Sequence, residues 1–345
     1  MKIIRNGELV LPNEIINGDI MINNEIITHI GHIHDIPVGA EIIDATGCYV
    51  FPGFIDPHTH FQMTNVLAST ADDFESGSLA AIAGGTTTVI NFATPEEGSL
   101  IKGLQVHLRR ADNHISCDVA FHMEIVDVND TILAEIPRIV NHGISSFKVY
   151  LAYGFRLNDK DLYRVIRAIS QTGALVAAHC ENGPLIEALI DELRQASKLG
   201  VGSHPISRPI LIETEAIQRF ITIGALADYP VHIVHVSSEL GLNIIEQERR
   251  KGHHVTCETC PQYLVLNESL YTLPDFEGAK YVMIPPLRCK QDNVALQNGL
   301  MSDMVQTVGS DHCSFNFESQ KKQGLHDFTR IPGGVPGVEE RGLIT

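Results

Sequence analysis

Five residues of metal-ligand type recur at the ends of apolar runs, and a sixth charged residue sits inside one. In PGFIDPHTH, His58 and His60 are one residue apart, so in extended backbone both imidazoles project to the same side. Alone, an H-x-H is equally compatible with a strand cap or a solvated edge. His179 ends the run ALVAAHC, His235 ends VHIVHV, and Asp311 follows TVGS. Imidazoles and a carboxylate gathered from several strand ends would hold a divalent metal ion. Lys148, in SSFKVYL, lies within a strongly apolar run, where an unpaired ammonium costs several kcal/mol. It is either half of a buried salt bridge or a lysine whose lowered pKa lets it react with carbon dioxide. The resulting carbamate is an anionic ligand able to bridge two metals. Two divalent cations against a carbamate, the Asp311 carboxylate and a hydroxide leave a small residual charge that can be buried.

Such a site requires strands whose C-terminal ends share one face. From residue 49 onward, apolar runs of strand length alternate with helix-length segments of 3.6-residue period, the pattern of parallel βα units. Eight runs are expected as strands, at 49–55, 87–92, 118–123, 146–151, 174–179, 231–236, 254–260 and 304–309. Helices are expected at 131–141, 160–171 and 185–198, with two further helical stretches around 200–209 that would serve as a lid or an oligomer contact. Eight strands with crossovers favour a closed (β/α)8, TIM-like barrel over an open sheet. Residues 1–50 read differently, as short strands at 2–4, 8–11, 19–22, 25–30 and 41–43 with turns at Asn6-Gly7, Asn17-Gly18 and Asn23-Asn24. The expected division is therefore an N-terminal β layer, 1–50, and a barrel domain, 51–345.

Composition narrows the partners. The 345 residues are 44% apolar and 19% charged, enough for a large core. Lys and Arg number 25 against 42 Asp and Glu, a net charge of −17, which disfavours nucleic acid and anionic membranes. No run approaches the roughly 20 apolar residues of a membrane span, and the N-terminus lacks a signal-peptide pattern, so a cytoplasmic protein is expected. Seven scattered cysteines read as reduced packing residues, the Cys257-x-x-Cys260 pair included. Among the other histidines, His122, His232 and His312 lie near the mouth but adjoin better ligand candidates, and the remainder read as structural or surface residues.

The blocks PGFIDPHTH, AAIAGGTTTVINF, SSFKVYLAYGF, AHCENG, IVHVSS, ETCPQYLVL, YVMIPPLR, TVGSDHCSFNF and IPGGVPGVEER, in this order, resemble the hydantoinase and dihydropyrimidinase branch of the cyclic amidohydrolases. The resemblance implies a distorted barrel with a small β-sandwich and two divalent metals, expected to be zinc. His58, His60, carboxylated Lys148 and Asp311 would hold the first metal, and Lys148, His179 and His235 the second. It further implies that Tyr153 stabilises a tetrahedral oxyanion and that main chain near Ile284 and Gly333 holds the cyclic ureide. The implied reaction is hydrolysis of a ring amide to an N-carbamoyl amino acid by a metal-bridged hydroxide, with Asp311 as general base and then acid. A homo-oligomer is expected.

Two residues depart from the family pattern: Ile284 stands where serine is usual and Gly333 where asparagine is usual. Phe61 and Gln62 follow His60 where a dihydroorotase-like chain would carry a carboxylate-gripping arginine, so a carboxylate-bearing ring is disfavoured. An allantoinase-like activity and a non-catalytic homologue are the alternatives. The family pattern also continues beyond position 345, so the last βα unit is expected to be unfinished and the chain correspondingly weak in stability.

Overall fold

Pro52 and Gly53 divide the stretch expected as one strand at 49–55 between two different sheets. Proline has no N–H for the ladder, so Tyr49–Val50 ends there as a partner of the N-terminal strand. Pairing resumes at Phe54–Thr59, as the first strand of the barrel. The computed structural model describes all 345 residues and separates them into two units, Met1–Phe54 and Ile55–Thr345.

In the first unit, β1 (Lys2–Val10), β2 (Ile15–Asn23) and β3 (Ile26–Gly31) pair antiparallel, and β4 (Glu41–Asp44) and β5 (Tyr49–Val50) lie parallel to β1. The turn expected at Asn6-Gly7 is instead a bulge inside one strand. The register shifts between Ile4 and Gly7, Asn6 takes a φ of 60°, and its N–H donates to Asp19 Oδ1 at 2.9 Å. Ile3 and Leu9 provide the buried apolar anchors of this layer.

The barrel strands are β6 (Phe54–Thr59), β7 (Thr86–Ala93), β8 (Asp118–Glu124), β9 (Ser146–Tyr150), β10 (Leu175–His179), β11 (Val231–Ile233), β12 (Val255–Thr259) and β13 (Thr307–Val308). They pair in sequence order as one eight-stranded sheet. A parallel bridge from Thr59 to His312, with the His60 N–H donating to His312 O at 2.9 Å, brings the two ends together into a near-closed barrel. Every residue of β9 is buried, as a strand covered on both faces requires. Two strands fall three or more residues short of the expected spans, β11 and β13. β11 stops because His235 turns into the left-handed region at φ 39°. β13 starts late because the Met304 and Val305 N–H groups are taken by Gly299 O at the end of the helix Lys290–Met301.

The crossover helices Asp130–Asn141, Asp159–Ser170 and Gly183–Gln195 each begin one or two residues before the expected start. Asn129, Asn158 and Asn182 cap them, each side chain accepting the N–H three residues on. The segment between β10 and β11 adds a short helix, Ser203–Ser207, and a long one, Ile210–Leu226. No helix is long and apolar enough to cross a membrane.

Candidate metal centre

The penultimate residue of β6 is the buried His58, whose Nδ1 is 2.6 Å from Oε1 of Glu258, the penultimate residue of β12. A hydrogen bond there directs Nε2 away from the carboxylate, to 3.2 Å from Asp311 Oδ1. His60 Nε2 approaches the same oxygen, also at 3.2 Å. One ligand atom from each of His58, His60 and Asp311 lies within 4.8 Å of the others. His58 Nε2 nevertheless has no aligned hydrogen-bond partner, although it is fully buried.

A second pair adjoins this cluster. His179, the last residue of β10, places Nδ1 3.0 Å from His235 Nε2, and the His235 and His58 rings are 5.6 Å apart. Glu181 Oε2 sits 2.8 Å from His179 Nε2 and accepts from Arg208 Nη1 at 2.5 Å, so Nδ1 is the nitrogen left facing His235. Burial lowers the pKa of His58, His179 and His235, which keeps the imidazoles neutral with lone pairs available. Burial raises the Glu181 carboxyl, but Arg208 and His179 outweigh it and bring it down to about 2. The Asp311 carboxyl is likewise raised by burial and pulled below its ordinary value by His58 and His60.

Lys148, in the middle of β9, is enclosed without a carboxylate at ion-pair distance. Its Nζ lies over the Phe92 ring, 5.0 Å from the centroid, and 5.5 Å from the Tyr150 centroid. Phe92 in turn is 4.7 Å from the His58 ring and 4.6 Å from the His60 ring. The salt bridge considered for this lysine is thus absent, and burial pulls its pKa down.

Tyr153 reaches the same place from the loop after β9, its ring 4.9 Å from that of His179. Tyr153, His235 and Asp311 all have positive φ, at 71°, 39° and 49°. Non-glycine residues pay for this conformation, and such strain concentrates where side chains must be aimed at a site. Ile284 and Gly333 belong to two loops that pack on each other. A Cβ at Gly333 would lie 2.7 Å from Ile284 Cδ1 and 2.8 Å from Cγ1, so the isoleucine fills the space a side chain at 333 would need. The two departures from the family pattern are therefore one packing change.

Sequence reasoning missed Glu258, Glu181 and Arg208. Glu258 and Glu181 carried a signal, since each is a carboxylate at or just beyond a strand end, in CETC and HCEN. Arg208, in an inter-strand insertion, carried none. The three histidines set aside have other partners: His122 lies 2.6 Å from Ser146 Oγ and 2.8 Å from Pro57 O, His232 2.8 Å from Thr256 Oγ1, and His312 2.9 Å from Asp72 Oδ2. Cys257 and Cys260 are buried and free.

Two imidazole nitrogens facing one carboxylate, one of them orphaned and buried, suit a divalent cation. A barrel carrying such a centre at its strand ends defines a metal-dependent hydrolase class, and the profile of the Amidohydrolase family matches residues 49–204. The chain belongs to that family, among its hydantoinases and dihydropyrimidinases. It is 44% identical to a D-hydantoinase of Geobacillus stearothermophilus over 347 residues, covering 99% of this chain and 74% of the relative. A D-hydantoinase of Rhizobium radiobacter is 38% identical, with 99% and 75% covered. The crystal structure of the dihydropyrimidinase from Brevibacillus agri NCHU1002 superposes with a TM-score of 0.96 at 41% identity, covering 99% of this chain and 74% of that one.

Proposed function

We propose that this chain hydrolyses the ring amide of hydantoins or dihydropyrimidines to N-carbamoyl amino acids. The observation that carries the reading is the convergence of His58, His60 and Asp311 on one point beside the His179–His235 pair and an unpaired, buried Lys148. His58, His60 and Asp311 would hold one divalent ion and His179 and His235 another, with Lys148 as an N-carboxylated bridge. Imidazole and carboxylate donors suit zinc. Bound there, the ions supply Lewis-acid polarisation of the ring carbonyl and a water acidified to near neutral pH.

The chain's own groups do the rest. Asp311 is kept ionised, so its carboxylate can accept the proton of the attacking water and return it to the departing ring nitrogen. Burial pushes the Tyr153 phenol far up, so it stays a proton donor and can stabilise charge developing on the carbonyl oxygen. Main-chain groups around Ile284 and Gly333 would grip the planar diamide, a grip that uses neither side chain. A reducing cytoplasm suits the seven free cysteines. Assembly into a homo-oligomer completes the proposal, and light scattering checks it.

Protein loaded with zinc in bicarbonate should open rings from a panel of hydantoins, dihydrouracils and allantoin, read as loss of ring absorbance and appearance of the N-carbamoyl product. Metal-replete protein that opens none of them overturns the assignment.

A further inference from the structure

Lys321 is the second enclosed lysine of the barrel unit, and its ammonium makes a different set of contacts from that of Lys148. Its neighbour Lys322 points outward to Glu318 at 2.6 Å, whereas Lys321 is only 2% exposed and pairs with no carboxylate. Its Nζ donates to three backbone carbonyls: Val282 O at 2.9 Å, Gly334 O at 2.8 Å and Pro332 O at 3.3 Å. Three acceptors for three N–H donors satisfy an ammonium fully, which a planar guanidinium could not reproduce in the same space. Burial pulls this amine down to about 7.

The three carbonyls come from two irregular segments that have little regular pairing of their own. One runs through Val282, Met283 and Ile284, and His204 Nε2 lies 2.8 Å from Met283 O. The other runs through Pro332, Gly333 and Gly334. Direct ties between them are the Gly334 N–H to Val282 O at 3.0 Å and the packing of Ile284 on Gly333. The second segment continues to Val335, whose carbonyl accepts from the N–H of Cys313, two residues beyond Asp311. Gly334 approaches so closely that a Cβ there would collide with the Cys313 carbonyl, and its φ of 152° is one that side chains rarely adopt.

We propose that Lys321 is a positioning residue for substrate binding: it sets the spacing between the Val282–Ile284 and Pro332–Gly334 main chains and so the distance of a bound ring from Asp311. The inference rests on the reading that these main chains grip the ring. Lys321 bonds to backbone carbonyls and to none of the proposed metal ligands, so its removal should loosen the grip and spare the chemistry.

Lys321→Met removes the donors while keeping the length, and Lys321→Gln retains a shorter donor. For each, metal content, KM and kcat on the best ring substrate, and hydrogen exchange of the segments at 282–285 and 332–335 are measured on the full chain. The expected result for Lys321→Met is a rise in KM of about tenfold or more with kcat within about threefold, unchanged metal content and faster exchange at Gly334. Lys321→Gln should fall between it and the wild type. An unchanged KM, or a fall in kcat with loss of metal at constant KM, overturns the proposal, and so does failure of both variants to fold, which would place Lys321 in the scaffold. If the wild type opens no ring, the functional reading fails separately, and unchanged exchange at Gly334 in either variant still refutes the clamp.

Discussion

An ammonium enclosed in a barrel strand has to be paired, neutralised or modified. Lys148 has aromatic faces around it and no carboxylate within ion-pair reach, so pairing drops out and the proposed carbamate is open to direct test. Lys148→Ala should lose most of its metal and activity, and Lys148→Arg should do no better, because a guanidinium cannot form the carbamate. Short carboxylic acids added to the Ala variant should restore part of both; full metal content in either variant without additive would refute the bridge. Tyr153→Phe keeps the packing against His179 and removes one hydroxyl, so kcat should fall by about 10²–10³ with metal content unchanged. Glu258→Gln weakens the orientation of His58 and should lower metal affinity about 10–100-fold, measured by competition with a chromogenic chelator.

Strand ends and the backbone just beyond them carry the centre, so a change in one strand can disturb it without altering any ligand. Gly309, directly after β13, lies so close to β6 and β12 that a Cβ there would come 2.5 Å from His58 Cβ and 2.8 Å from Glu258 Oε2. Gly309→Ala should therefore push both side chains, costing about 1–3 kcal/mol of stability and lowering metal content. Wild-type metal affinity in that variant would show that the strands can part without moving the ligands. The helices behind the barrel follow local rules more closely. Their three asparagine caps lie in the sequence at the start of the apolar period, and the expected spans omit only the first one or two residues of each helix.

In the barrel unit, buried neutral histidines contribute to the acid limb of stability. Burial draws His107, His122 and His232 down to about 4 and His204 to about 3. Each protonates near pH 6.5 once unfolded, so the unfolded chain binds more protons between those values. The stability they contribute is complete above about pH 6.5 and is lost as pH falls toward about 4, at no more than about 1.4 kcal/mol per pH unit for each histidine. Urea midpoints of metal-free protein should consequently drop between about pH 7 and pH 5; a flat profile over that range would mean that these rings are not held neutral. Above that range, stripping the metal with a strong chelator should lower the melting temperature by mass action, and zinc should restore it.

The periodic alternation of apolar runs and helical segments was enough to specify parallel βα units, because period and turn chemistry are written in consecutive residues. Ligand types at the run ends were equally legible, since a strand end maps to one face of a barrel wherever the strand lies. The sequence also showed Lys148 as an anomaly, and the structure removed the salt bridge from its two readings. Long-range register supplied what was missing. The meeting of His58 with Glu258, the filling of Gly333's space by Ile284 and the reach of Lys321 to Val282 all join segments far apart in the chain. Local propensity is silent about such contacts, because their geometry exists only once the barrel has closed and its loops have packed on one another.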